Sequence, residues 1–346
     1  MRGTTLAGTR YAFAAAVAVT VVAMTGGPAP GTVHADTPPA TETGTAEYGV
    51  ATLERVDRRS DRDWSLFVYS AAMERTIELQ VIRPADTSAA RPVLYLLNGA
   101  GGGVDDATWR KQTDVMDFFG DKDVNVVTPV GGAFSYYTDW LADDPELGRN
   151  MWTTFLTEEA PPIVDAALGA SGRNAIAGVS MSATSALALA EHAPNLYAAV
   201  ASYSGCAETA TVEGSRYVEM VVGLGGGDVE NMWGPIDGPY WVERDVIRNA
   251  ERLRGTAVFV SSSGGQPGVH EARAWDEHGP AVIPDIALLG VIETAVSRCT
   301  DRLRTELDGL GIEATYSTRA EGTHTWGYWE DALHESWPLL SEAMSA

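Results

Sequence analysis

Asn174-Ala175-Ile176-Ala177-Gly178-Val179-Ser180-Met181-Ser182 is followed by an alanine-rich run to Ala190. A short apolar segment meets a Gly-x-Ser turn, and a helix-forming run follows. On such a strand–turn–helix a serine hydroxyl is pushed clear of the sheet, where a histidine can reach it. The turn also aims backbone N–H groups at the start of the helix, where an oxyanion can sit. Ser180 is therefore the candidate nucleophile. The pattern is Gly-x-Ser-x-Ser, not Gly-x-Ser-x-Gly, so Ser182 must fit where strand and helix pack closely. The competing explanation is an ordinary strand–loop–helix with a surface serine.

Around this stretch, strand-like runs recur at Trp64 to Tyr69, Thr76 to Ile82, Val93 to Leu97, Val124 to Thr128, Ala198 to Ser202 and Ala257 to Ser262, with a weaker one at Thr315 to Ser317. Helical patterns lie between them, notably Thr153 to Leu168, Ala183 to Glu191 and Ala287 to Leu307. Alternation of this kind predicts an α/β fold, a mostly parallel central sheet with helices on both faces. The Gly-rich run Gly223 to Gly227 lacks the Gly-Lys-Ser/Thr ending of a phosphate cradle and reads as a loop.

The N-terminus reads as a secretory signal peptide over residues 1–35. Arg2 and Arg10 precede or open an apolar run from Tyr11 to Met24, and Val33-His34-Ala35 fits a small-x-small cleavage site. No other segment reads as long and apolar enough to cross a bilayer. Residues 36–47 are Pro/Thr-rich and read as a flexible leader. Cleavage after Ala35 leaves 346 − 35 = 311 residues, one α/β domain over residues 48–346. The predicted location is outside the cytoplasm, secreted or in the cell envelope, without stable membrane insertion. The net charge of −23 excludes nucleic-acid binding through the bulk field and predicts repulsion from anionic lipid. An even pair of cysteines, Cys206 and Cys299, in an exported chain predicts a disulfide. No residue spacing suggests a metal or any other cofactor.

A base for Ser180 must lie downstream if the order is serine, acid, histidine. His192 sits far along the helix that starts at the serine. His270 and His278 fall in a polar, loop-like stretch that could touch substrate, and His334 falls on the last amphipathic helix. His324 lies in Gly322-Thr323-His324-Thr325-Trp326-Gly327-Tyr328-Trp329, a late loop after the last strand candidate, ringed by aromatic residues. It is the predicted base. Asp276, Glu277, Asp285 and Glu293 are all upstream of it, and spacing alone does not choose the acid that orients the imidazole.

Six blocks resemble the antigen-85-type mycolyltransferases, in family order from about residue 50 to 340. They are Tyr95-Leu96-Leu97-Asn98-Gly99; Pro129-Val130-Gly131-Gly132 with Tyr137-Thr138-Asp139-Trp140; Trp152-Thr153-Thr154-Phe155-Leu156-Thr157-Glu158-Glu159; Gly178-Val179-Ser180-Met181-Ser182; Asn231-Met232-Trp233-Gly234-Pro235; and the His324 block. The Cys206 and Cys299 pair looks closest to corynebacterial-type members. The resemblance implies an α/β-hydrolase fold and a serine–glutamate–histidine triad: nucleophile Ser180, base His324 and acid Glu293, with Asp276 as runner-up. It implies an oxyanion hole from the backbone N–H groups of Ala100 and Met181. It implies transfer of a mycolyl group from trehalose mycolates to trehalose or cell-wall arabinogalactan. Trp326, Trp329 and Tyr137 would offer surfaces for sugar or lipid, or simply pack in the core. One departure matters. Where the best-known members carry an aspartate and an arginine that grip trehalose, this loop reads Asn98-Gly99-Ala100-Gly101-Gly102-Gly103, leaving Asn98 as the remaining candidate sugar ligand. The alternatives are a secreted carboxylesterase of the same fold and a non-catalytic wall-binding relative.

Overall fold

The computed structural model describes residues 49–345; the expected signal peptide, the expected leader, Tyr48 and Ala346 lie outside them. The strands are β1 (Thr52–Arg58), β2 (Asp63–Ser70), β3 (Arg75–Ile82), β4 (Val93–Leu97), β5 (Asn125–Val130), β6 (Asn174–Val179), β7 (Tyr197–Tyr203), β8 (Ala257–Gln266) and β9 (Ala314–Glu321). They form one sheet in the order β1-β2-β3-β5-β4-β6-β7-β8-β9. From β5 to β9 all neighbours are parallel. β1, β2 and β3 add an antiparallel flank that joins β5. This is the mostly parallel sheet expected from the alternating pattern, in the α/β-hydrolase architecture that the resemblance implies.

Central parallel strands must be apolar on both faces, because helices cover both. Every residue of β4 and β6 is buried. Successive β4 side chains enter opposite layers. Val93, Tyr95 and Leu97 join the cluster that holds Trp152, Phe155 and Leu187, while Leu94 and Leu96 join Trp329, Leu333 and Leu340. The Met181–His192 helix therefore covers one face and the Trp326–Ser345 helix the other.

Several expectations are adjusted by the structure. β1 was not anticipated: it is an edge strand, mostly exposed, and its Glu54, Arg55, Asp57 and Arg58 give no apolar alternation. Such charges suit an unpaired edge. The expected Thr153-to-Leu168 helix is a short helix, a π-helical turn over Phe155–Glu159, and a helix over Ala160–Leu168. Pro161 and Pro162 cannot donate to the carbonyls one turn back, which breaks the regular ladder there. His270 and His278 lie on a helix, Val269–His278, not in a loop. Finally, the long helix begins at Ile283, ahead of the Ala287 read from periodicity, and the added turn brings in Ile283 and Ile286. Contrary to expectation, the Val269–Leu310 segment is long and apolar enough to cross a membrane by length and composition.

Cys206 and Cys299 form a disulfide across a separation of 93 residues. It ties the segment after β7 to the Ile283–Leu310 helix. Constraining so long a loop in the unfolded chain contributes about 4–5 kcal/mol in the chain-entropy model. Reduction should therefore lower the melting temperature by roughly 5–15 °C. A scan with and without reductant reads this directly, and coincident melting curves would contradict it.

Candidate active site

β6 ends at Val179, the helix opens at Met181, and Ser180 makes the whole turn between them, at φ 58° and ψ −120°. A non-glycine residue there is strained by about 1–3 kcal/mol and stays only where its surroundings impose it. Three contacts do so. Ser180 N donates to Tyr203 O at the end of β7, 2.9 Å away. Val179 N donates to Ser182 Oγ at 2.9 Å. Gly178 approaches so closely that a Cβ there would lie 2.1 Å from Ser182 O. Gly178→Ala should then cost about 2–3 kcal/mol, and a melting temperature equal to the parent's would show that the turn has slack. Ser182 fits as a working part: its hydroxyl lies 3.1 Å from Val179 O and 3.3 Å from Leu97 O, the last residue of β4.

The His324 loop follows β9. Its imidazole Nε2 lies 2.8 Å from Ser180 Oγ, and Nδ1 lies 2.7 Å from Glu293 Oε2. A carboxylate only accepts, so Nδ1 carries the proton and Nε2 is left to accept from the serine. Glu293 is fully buried on the Ile283–Leu310 helix. Its other oxygen accepts from Ser204 Oγ at 2.9 Å and Ser263 N at 2.7 Å. Asp276 is exposed on the Val269–His278 helix.

A second buried carboxylate holds the loop that carries the imidazole. Glu271 accepts from Thr323 Oγ1 at 2.5 Å, from Tyr328 OH at 2.7 Å and from Gly268 N at 2.7 Å. Burial pushes its pKa up, but these hydrogen bonds outweigh it and hold the carboxyl below its ordinary value. His324 N donates to Leu289 O at 3.2 Å, and Trp329 packs edge-on to the imidazole at 4.9 Å. Neither Glu271 nor the Ser204 and Ser263 clamp on Glu293 was foreseen. They come from elements distant in sequence, the Val269–His278 helix, β8 and the residue after β7, and no motif marks them.

Met181 opens its helix, so its N–H is among those a helix leaves without an internal acceptor. The loop of Ala100 lies over the elbow: a Cβ on Gly99 would be 3.9 Å from Ser180 Cβ. Both residues are gripped by the segment after β5. Phe134 N donates to Ala100 O at 2.7 Å, Tyr136 N points at Met181 Sδ at 3.4 Å, and Tyr136 O accepts from Ser185 Oγ at 2.6 Å. Phe134, Tyr136 and Tyr137 all have positive φ, so this brace is itself strained.

Two candidate substrate contacts lie buried. Asn98 is 2% exposed, and its Oδ1 accepts from Trp109 N at 3.1 Å, so it braces the glycine loop from below. Tyr137 is 1% exposed and packs edge-on to Trp152, as core. Trp326 is half-buried beside His324 and packs edge-on to Trp109 and Trp329. Three other histidines among the described residues are engaged elsewhere: His270 Nε2 is 3.0 Å from Asp331, His278 Nε2 is 3.7 Å from Glu277, and His334 Nε2 is 2.9 Å from Asp114. His192 ends the Met181–His192 helix, far from Ser180. Among the described residues, Cys206, Glu208 and Cys299 cluster with ligand-like spacing, but the two sulfurs are bonded to each other.

Residues 70–340 match the family model described as putative esterase. The chain is 30% identical to the diacylglycerol acyltransferase/mycolyltransferase Ag85A of Mycobacterium leprae over 291 residues, 81% of this chain and 83% of that protein. It is 30% identical to the Ag85B counterpart of Mycobacterium intracellulare over 86% of this chain and 88% of that one. Among solved structures, Mycobacterium tuberculosis MPT51 superposes with a TM-score of 0.66 at 23% identity, covering 83% of this chain and 99% of that one. A ferulic acid esterase superposes at 0.57 with 17% identity, covering 85% and 100%; both likenesses concern the fold. The chain thus belongs to the esterase family of α/β-hydrolases and, within it, to the antigen-85-type mycolyltransferases.

Proposed function

We propose that this protein is an exported serine acyltransferase that moves a mycolyl group from trehalose monomycolate to trehalose or cell-wall arabinogalactan. The observation that carries the proposal is the unbroken hydrogen-bond chain from Ser180 Oγ through His324 to Glu293, set in a chain of this family. Ser180 Oγ attacks the ester carbonyl while its proton passes to His324 Nε2. Negative charge develops on the carbonyl oxygen, where the N–H groups of Met181 and Ala100 are its donors. The ester C–O bond breaks, and trehalose leaves with the proton from His324. The acyl group then sits on Ser180. An acceptor hydroxyl gives its proton to His324, attacks the acyl carbon and restores the serine. Glu293 stays ionised throughout and balances the imidazolium. The N-terminal 35 residues serve as the export signal, and one domain follows the leader.

Burial of Asn98 favours one second possibility. With no charged sugar ligand in the glycine loop, water could compete with the acceptor, and the protein would be a carboxylesterase. Mass spectrometry after incubation with trehalose monomycolate, with and without trehalose, separates the two. The expected result is an acyl adduct on Ser180 that passes to trehalose. An adduct that only hydrolyses would make the protein an esterase, and no adduct would remove both.

A further inference from the structure

Glu293 fixes which way the imidazole faces, but not where its loop stands. That loop leaves the sheet at Gly322, whose N–H donates to Gln266 O at 2.6 Å. Only Thr323, His324 and Thr325 follow before the last helix opens at Trp326. Thr325 Oγ1 is buried with no hydrogen-bond partner, and His324 N reaches Leu289 O at a long 3.2 Å. The side chains on either side of the imidazole are held by the first turn of the Val269–His278 helix. Glu271 is 3% exposed. One of its oxygens takes Thr323 Oγ1, just before His324, and the other takes Tyr328 OH, just past the loop. Beside it, the His270 ring packs edge-on to Tyr328 at 4.5 Å, and its Nε2 meets Asp331 on the last helix. A Cβ on Gly327 would lie 2.3 Å from His270 Nδ1, so the fit there is close.

We infer that Glu271 is a positioning residue for the reaction: through Thr323 and Tyr328 it sets the distance at which His324 Nε2 meets Ser180 Oγ. The inference rests on the serine chemistry proposed above. Two buried carboxylates then divide the work. Glu293, on the Ile283–Leu310 helix, meets the ring; Glu271, on a separate helix, meets the segment that carries the ring. The ordinary role for Glu271 is a helix cap. It is the third residue of its helix and accepts from Gly268 N at 2.7 Å, as a capping glutamate does. A cap occupies one oxygen. Here the other is given to Thr323, and two of the three donors belong to the segment around the base. That segment must be exact. Nε2 lies 2.8 Å from Ser180 Oγ, and a misplacement of about 1 Å can cost about 10²-fold in rate. Without Glu271, three buried donors lose their acceptor and must move to find another, and His324 moves with them. Glutamine at 271 preserves the arrangement. Its carbonyl oxygen can serve Gly268 and Tyr328 while its N–H₂ donates to Thr323 Oγ1, because a hydroxyl accepts as well as donates.

The test compares three changes in the mature protein: Glu271→Ala, Glu271→Gln, and Thr323→Val combined with Tyr328→Phe. The double variant removes both donors around the base and leaves the Gly268 cap in place. Thr211→Ala is the control. Thr211 caps the Val212–Leu224 helix, accepting from Gly214 N at 3.0 Å, and that helix contributes no residue to the triad. On a chromogenic short-chain ester, Glu271→Ala and the double variant should each lower kcat about 30- to 100-fold with KM within about twofold. Glu271→Gln should stay within about threefold of the parent, and Thr211→Ala should keep the parental kcat. A second readout needs no turnover. The proton NMR resonance of His324 Nδ1–H, bonded to Glu293, should be unmoved in Glu271→Gln and should shift or exchange away in Glu271→Ala and in the double variant. Parental kcat with an unmoved resonance in the folded double variant would overturn the inference, whether or not Glu271→Ala folds. So would an equal loss in Thr211→Ala, or a glutamine variant as impaired as the alanine one. A parent that leaves the ester untouched would instead remove the proposed activity, and the resonance would still decide the role of Glu271.

Discussion

Ser180→Ala should lower acyl transfer by about 10⁴- to 10⁶-fold while leaving the fold intact. The side-chain hydroxyl makes one hydrogen bond, to His324, and supports no packing. The backbone strain at φ 58° is the same for alanine as for serine, so the melting temperature should stay within a few degrees. Ser180→Gly should be equally inactive but more stable, by about 1 kcal/mol, because glycine reaches positive φ without a Cβ clash. The pair separates chemistry from structure. Activity of Ser180→Ala within tenfold of the parent, measured on a chromogenic short-chain ester, would refute Ser180 as nucleophile.

Glu293→Gln should lower turnover by about 10³- to 10⁴-fold with little change in KM. The carboxylate accepts three hydrogen bonds, from His324 Nδ1, Ser204 Oγ and Ser263 N. A glutamine keeps one carbonyl oxygen and gains an N–H₂ that cannot accept. If the amide oxygen serves Ser263, the N–H₂ faces the imidazole, which turns to the tautomer with a proton on Nε2 and can no longer take the serine proton. If it faces Ser263 instead, a buried donor loses its partner, at a cost of about 1–3 kcal/mol in stability. Asp276→Asn is the comparison, since Asp276 is exposed; it should stay within about twofold of the parent, the size expected of a surface substitution. The assignment of Glu293 fails if the two variants exchange behaviour.

The elbow was legible because several levels agreed there. Asn174 to Val179 is uniformly apolar apart from its first residue, only glycine fits at 178, and the alanine run can only be a helix. His324 was legible from chain order and its aromatic surroundings. Glu293 was not legible from spacing, because four carboxylates lay upstream and what distinguishes one is the Ser204 and Ser263 clamp, assembled from two other strand ends. Asn98 was read as a sugar ligand from its place in the loop where the family grips trehalose, and Tyr137 as an aromatic surface or as core. Burial is a tertiary property, and both side chains are buried, which neither residue type announces. β1 carried no apolar period to detect, and Pro161 with Pro162 lay inside an otherwise helical pattern whose break depends on hydrogen bonds the pattern does not register.

Ser182 sets a distance. Its hydroxyl sits among Val179 N, Val179 O and Leu97 O, the terminal residues of two adjacent strands, β6 and β4. From those ends spring the two backbones whose N–H groups are proposed to meet the developing oxyanion. Where a glycine would leave the gap between them to the sheet alone, this chain has a gauge pinned across it. On that proposal the aperture for the carbonyl oxygen is calibrated by a side chain outside the triad, and replacing it would mistune the opening without removing any part of the machinery.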